Sequence, residues 1–209
     1  MHLDLTVDEL LSTTRSVRRR LDFDKPVPRE VLTECLRLAL QAPSAADAQG
    51  WRWVFIDEPQ KKAALADIYR SNLRSYQSVS ALHAGEPSAR MAASGSYLVE
   101  HLQDAPVLLI PCLRGRVENG PPGLSATHWA SVMPAAWSFC LALRSRGLGS
   151  CWTTLHLFGN GEKAAAELLG VPYDEYSQVG LFPIAYTKGT DFTPARRLAP
   201  EQVTHWNGW

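Results

Sequence analysis

The chain has 209 residues, 45% hydrophobic and 20% charged, the composition of an ordinary globular protein long enough to bury a core without disulfides or metals. Lys+Arg and Asp+Glu both number 21, so the formal net charge is zero and the basic surplus of a dedicated nucleic-acid binder is missing. Cys35, Cys112, Cys140 and Cys151 have neither the paired spacing of a zinc site nor the density of a disulfide framework, and read as free thiols.

MHLDLTVDEL lacks the apolar core of a signal peptide, and no apolar run is long enough for a membrane span, so the cytoplasm is the expected compartment. Thr6 to Ser12 predicts a short helix with Leu10 and Leu11 inward. A basic stretch, TTRSVRRRL, follows. Pro28 opens a second helix, with Val31, Leu32, Cys35, Leu36 and Ala39 on one face, stopping by Ala42–Pro43. The small-residue loop PSAADAQG leads into WRWVFI, a strand by its aromatic and β-branched content. A helix is expected from Pro59 to about Arg70, with Ala63, Leu65 and Ala66 inside.

Ser71 to Ser96 is polar and reads as a helical excursion or a flap; Ser96 to Gln103 reads as helix. Pro106 to Leu113 is continuously apolar and predicts a strand covered on both faces. Arg114 to Ser125 reads as a Gly/Pro loop, and Ala126 to Arg146 as one apolar helix ended by Gly147. Gly149 to Thr153 predicts a strand, Glu162 to Leu169 a helix stopped by Gly170, and Gln178 to Tyr186 the last strand. The tail from Lys188 is polar and ends on Trp206 and Trp209. Helices come first, then strands alternate with helices, which indicates an α/β or α+β domain around one sheet.

Three stretches carry candidate chemistry. Arg15, Ser16, Arg18, Arg19 and Arg20 offer planar guanidiniums and a hydroxyl suited to an anion such as a nucleotide phosphate. A solvated basic face accounts for the same run, and so does a nucleic-acid patch, which zero net charge disfavours. PSAADAQGW permits close backbone approach to a flat ligand, with Ser44, Asp47 and Gln49 as polar contacts; taken alone, a tight helix-to-strand turn is the simpler account of its small residues. GLGSCWTTLH lacks the third glycine of a dinucleotide fingerprint, and its His156 has no evident third residue to complete a nucleophilic Cys–His site with Cys151.

In order and spacing, TRSVRRRLDFDKPVP, LALQAPSAADAQGWRWVFI, LRSRGLGSCWTTLH and PARRLAPEQVTHWNGW together resemble the FMN-dependent nitroreductase family. The resemblance implies one α+β domain with a mainly antiparallel sheet flanked by helices. It also implies a homodimer in which residues 188–209 wrap the partner, with Trp206 and Trp209 as anchors. Arg15 and Ser16 match phosphate-binding positions, Arg18 a cationic position near the phosphate or the flavin pyrimidine, and Arg197, with Arg196, the C-terminal phosphate arginine. Ser44 and Gln49 match loop positions along the flavin and ribityl chain. Asp47 stands where members often have Asn, and Thr14 where many have a second basic residue. Thr154, Leu155 and His156 match the segment crossing the isoalloxazine, with a backbone N–H at flavin N5.

The implied activity is hydride transfer from NADH or NADPH through FMN to a nitroaromatic, quinone or similar acceptor, with no strictly catalytic side chain. A flavin-dependent dehydrogenase or oxidase of a small metabolite, and a flavin binder without turnover, are the alternatives. No nucleic-acid or membrane partner is expected.

Overall fold

Thr6 caps the first helix through a reciprocal pair, its hydroxyl accepting from Glu9 N–H while the Glu9 carboxylate accepts from Thr6 N–H. The computed structural model describes residues 2–83, 89–118 and 120–209. Its helices are α1 (Val7–Thr13), α2 (Arg29–Ala39), α3 (Pro59–Ser71), α4 (Leu73–His83), α5 (Ala89–His101), α6 (Pro122–Ala130), α7 (Met133–Ser145) and α8 (Gly161–Leu169). Its strands are β1 (Leu21–Asp22), β2 (Trp51–Ile56), β3 (Val107–Arg114), β4 (Leu148–Ser150), β5 (Tyr176–Gln178) and β6 (Phe182–Thr187). All pairings between these strands are antiparallel.

β3 is the central strand, and every residue from Val107 to Leu113 is buried, as its unbroken apolar run requires. It pairs with all of β2, through Leu108–Leu113, on one side. On the other it pairs first with β6, through Val107–Leu109, and then with β5, through Cys112–Arg114. Pro111, which has no N–H to donate, falls at the changeover between those two partners, where a proline inside a central strand is tolerated. Ile184 on β6 is partnered by Val107 on one side and Ser150 on the other, so β3 and β4 flank β6. Two apolar layers cover the sheet. One gathers Leu65, Ala66, Leu98 and Leu102 against Leu108 and Ile110; the other gathers Leu32, Cys35, Phe139 and Leu143 against Leu109 and Phe182.

Several expectations are corrected. Leu11 is exposed and Ala63 lies on the outer face of α3, so the inner faces there are narrower than the sequence pattern. The expected 126–146 helix is two helices, broken at Ser131–Val132, because Pro134 has no N–H for a continuing turn and sits instead in the first turn of α7. The 114–125 loop is shorter than expected, since Arg114 ends β3 and Pro122 starts α6. The expected 178–186 strand is β5 and β6, separated at 179–181. The described part of 71–96 is helical, in α4 and α5, while residues 84–88 lie outside the described residues. The four cysteines are free thiols.

Candidate active site

The GLGS joint has its glycines for packing and chain reversal. Gly147 takes a φ of 72° after α7. A Cβ on Gly149 would lie 2.7 Å from Thr187 Cγ2 and 3.1 Å from Val17 Cβ. That close approach lets the arginine segment lie alongside β4: Val17 N–H donates to Ser150 O at 2.8 Å, and Ser16 forms a parallel bridge with Ser150. The segment is thereby held against the sheet with Ser16 exposed.

Arg15 and Arg197, from opposite ends of the chain, line one cavity of about 350 Å³ together with Ser12, Thr14 and Trp137. Arg15 also donates from Nη2 to Thr193 O at 2.5 Å, tying the tail to this segment. Arg196 is exposed, and its carbonyl accepts from Arg197 Nη1 at 3.2 Å. Arg18 and Ser16 approach the buried Cys151 thiol; burial raises the proton affinity of that thiol, and both neighbours act against the rise.

Beyond β4 the chain enters the 154–157 turn. Thr153 and Leu181 exchange backbone hydrogen bonds at 3.0 and 2.7 Å, and Trp152 Nε1 donates to Val179 O at 3.2 Å. These contacts occupy 179–181 and are the reason that strand is interrupted. Thr153 Oγ1 also meets the buried Tyr69 hydroxyl at 2.7 Å, and burial pushes that phenol up to about 12. Thr154 is exposed, whereas Leu155 and His156 are buried.

The His156 ring points into the core. Its Nε2 lies 3.1 Å from Gln178 Oε1. The Gln178 amide nitrogen already donates to Glu162 O at 2.8 Å, so Oε1 accepts and Nε2 carries the hydrogen. Burial lowers the imidazole pKa to about 4, leaving the ring neutral. Glu162 is in turn paired with Arg116 at 2.8 Å and accepts from Gln178 N–H at 2.9 Å. This chain of contacts fixes the turn, so His156 can offer a ligand only its backbone. Nothing joins the ring to Cys151, and the nucleophilic Cys–His pair is not formed.

The 44–50 loop is a separate construction. Ala46, Asp47 and Gln49 all have positive φ, at 51°, 52° and 46°. Each departs from the region L residues prefer, a cost tolerated where surrounding bonds hold it. Those bonds are Gln49 N–H to Ser44 Oγ at 3.2 Å, the Gln49 amide to Asp47 Oδ1 at 2.8 Å, and Ala45 N–H to Ser131 Oγ at 3.1 Å. Asp47 therefore faces Gln49 rather than the arginines.

The structure does not bring this loop to the arginine segment within one chain. Successive pairings run from Ser16 to β4, β6, β3 and then β2, which the loop precedes. At about 4.8 Å per pairing, these put roughly 19 Å of sheet between them. Sequence reasoning missed Tyr69, Ser131, Gln178 and Glu162, because their partners are distant in the chain and no local spacing marks them.

A model of the Nitroreductase family matches residues 11–186. The chain belongs to the nitroreductase family. This family member is 30% identical over 155 residues to the 5,6-dimethylbenzimidazole synthase of Rhodospirillum rubrum, covering 71% of this chain and 69% of that protein. It is 29% identical over 186 residues to the iodotyrosine deiodinase of Drosophila melanogaster, covering 86% of this chain but 62% of the relative. Among solved structures, it resembles an oxidized iodotyrosine deiodinase bound to FMN and 3-iodo-L-tyrosine, with a TM-score of 0.72 at 19% identity over 98% of this chain and 100% of that one. It also resembles an FMN- and NADPH-dependent nitroreductase from Sphigopyxis sp. strain HMH, with a TM-score of 0.71 at 21% identity over 98% and 100%. The nitroreductase fold is thus shown. Among the described residues, no helix of this family member is long and apolar enough to cross a membrane.

Proposed function

We propose that this chain is an FMN-dependent oxidoreductase that takes reducing equivalents from NADH or NADPH and delivers them to a small-molecule acceptor, a nitroaromatic, quinone or similar compound. The observation that carries the reading is the convergence of Arg15 and Arg197 on one cavity of about 350 Å³ whose lining includes no carboxylate. Two guanidiniums with the hydroxyl of the adjacent Ser16 suit a phosphate monoester, which guanidiniums bind in a bidentate manner. Bound FMN supplies two-electron transfer at its N5.

The chain's own residues bind and orient. Arg15, Ser16 and Arg197, with Arg196 beside it, hold the phosphate; Arg18 favours negative charge on the pyrimidine edge. The backbone of Thr154, Leu155 and His156, its position set by Gln178 and Glu162, would hold the flavin ring. Ser44, Asp47 and Gln49 reach the flavin from a second copy of the chain, since the sheet separates them from Arg15 in the same copy. The reading therefore includes a homodimer, with residues 188–209 as its exchanged arm.

The first two curated relatives are named for other conversions, a dimethylbenzimidazole synthase and a deiodinase, which favours as a second reading the same flavin site serving a different small metabolite. Flavin binding without turnover is the remaining case. The visible spectrum of the purified protein, recorded before and after anaerobic NADH or NADPH, separates these. Bleaching by NADH or NADPH supports the proposed donor, and a stable yellow spectrum removes it. Failure to take up FMN overturns the site. Arg15→Ala combined with Arg197→Ala is expected to weaken FMN binding about 100-fold or more, since each charged hydrogen bond contributes about 1.5–3 kcal/mol. Stoichiometric FMN retained by that variant after dialysis would refute the phosphate assignment.

A further inference from the structure

Tyr69 places a polar group inside an apolar layer. It lies on α3, is 4% exposed, and belongs to the same buried cluster as Leu65, Leu98 and Leu102. Among the described residues its hydroxyl has one hydrogen-bond partner, Thr153 Oγ1 at 2.7 Å. Thr153 opens the turn that the flavin reading lays against the ring, and its backbone is held by the paired bonds to Leu181. The residue is half-buried, and among the described residues its Oγ1 has no second partner.

Burial sets the direction of this bond. Each hydroxyl carries one hydrogen and can also accept. If Thr153 donated, the Tyr69 hydrogen would be buried with no acceptor, at the full cost of its desolvation. Tyr69 therefore donates and Thr153 accepts, and the Thr153 hydrogen is left for a group outside the core. Burial pushes the phenol up to about 12, so it keeps its hydrogen across the physiological range. A hydroxyl that is accepting a hydrogen bond is also a stronger donor. Arg18 lies close enough for its charge to act on both the Tyr69 phenol and the Cys151 thiol. The hydroxyl pair thus sits beside the cation assigned to the pyrimidine edge of the flavin.

We propose that Tyr69 is a positioning residue which, through Thr153, aims a hydroxyl donor at a carbonyl oxygen on the pyrimidine edge of the bound flavin. The inference rests on the flavin reading above. Two-electron reduction leaves negative charge on that edge, so a fixed donor there favours the reduced state over the oxidised one. Tyr69 touches no ligand; it acts by occupying the Thr153 oxygen and so turning the Thr153 hydrogen outward.

The test is the reduction equilibrium of FMN bound to the full-length protein, read anaerobically against a reference dye with dithionite as reductant, with Tm recorded on the same samples. Thr153→Val is expected to lower the equilibrium constant about tenfold, which is about 30 mV for a two-electron couple, and Tyr69→Phe about threefold. Thr153→Ser keeps the hydroxyl and should keep the native value. Thr153→Val also strands the Tyr69 hydrogen and should lower Tm. Adding Tyr69→Phe removes that hydrogen and should recover Tm, while the equilibrium stays at the Thr153→Val value. A native equilibrium in Thr153→Val, or one that recovers along with Tm in the double variant, assigns the pair to the core alone and overturns the proposal. A wild-type chain that takes up no FMN removes the flavin reading and this inference together; FMN-loaded variants at the native equilibrium remove this inference only. If Tyr69→Phe does not fold, Thr153→Val and Thr153→Ser decide.

Discussion

His156 shows how burial changes the meaning of a residue that looks reactive in the sequence. Its ring is fully enclosed, neutral, and bonded to Gln178, so it stabilises the turn instead of performing acid–base chemistry. Burial holds its pKa to about 4, below the ordinary 6.5. The unfolded chain therefore binds the proton more tightly than the folded one. His156's contribution is intact above pH 6.5 and is lost as the pH falls toward 4, by about 3 kcal/mol in all at about 1.4 kcal/mol per pH decade. Urea unfolding across that window should show the slope in the native protein and a flatter profile in His156→Gln. Gly161 is the companion case. A Cβ there would lie 2.1 Å from the His156 carbonyl oxygen and 2.1 Å from Asn72 Nδ2. Gly161→Ala should cost about 1–3 kcal/mol in denaturant unfolding, because a backbone atom must shift to accommodate it.

Among the elements, periodicity located most helices and strands, and the errors are concentrated where a distant contact interrupts a local pattern. Val179–Leu181 has the apolar content of a strand, yet Trp152 and Thr153 occupy it, and β5 and β6 part there. The run from 126 to 146 is apolar throughout, but Pro134 restarts the helix, and the break frees Ser131 to hold the 44–50 loop. Ser131 Oγ accepts from Ala45 N–H and donates to Thr127 O, so it joins the loop to α6. Ser131→Ala should cost about 0.5–1.5 kcal/mol in denaturant unfolding and speed hydrogen exchange at the Ala45 amide. Unchanged exchange there would mean that the positive-φ loop is held by Ser44 and Gln49 alone.

At the scale of the whole molecule, the tail is tied down as far as Thr193 and then runs over an exposed surface. Arg20 donates to Lys188 O at 2.9 Å and Arg15 to Thr193 O, whereas Trp206 and Trp209 are 86% and 105% exposed. Trp137, Leu198 and Val203 add to this exposed apolar surface. If residues 188–209 are the arm of a homodimer, deleting them should give a monomer by sedimentation that no longer retains FMN; a dimer that keeps its flavin would reject the exchanged arm. The sequence by itself determined the family, the order of most elements and the run of arginines from Arg15 to Arg20. Those depend on local periodicity, on prolines and glycines that stop helices, and on short motifs whose spacing survives in the linear chain. Tertiary structure alone decided that Arg15 and Arg197 share a cavity, that His156 faces inward, that Ser44–Gln49 lies across the sheet from Ser16, and that the Tyr69 hydroxyl meets Thr153. Each depends on strand pairing or packing between residues far apart in the chain, where burial and neighbouring charge, not residue type, set what a side chain can do.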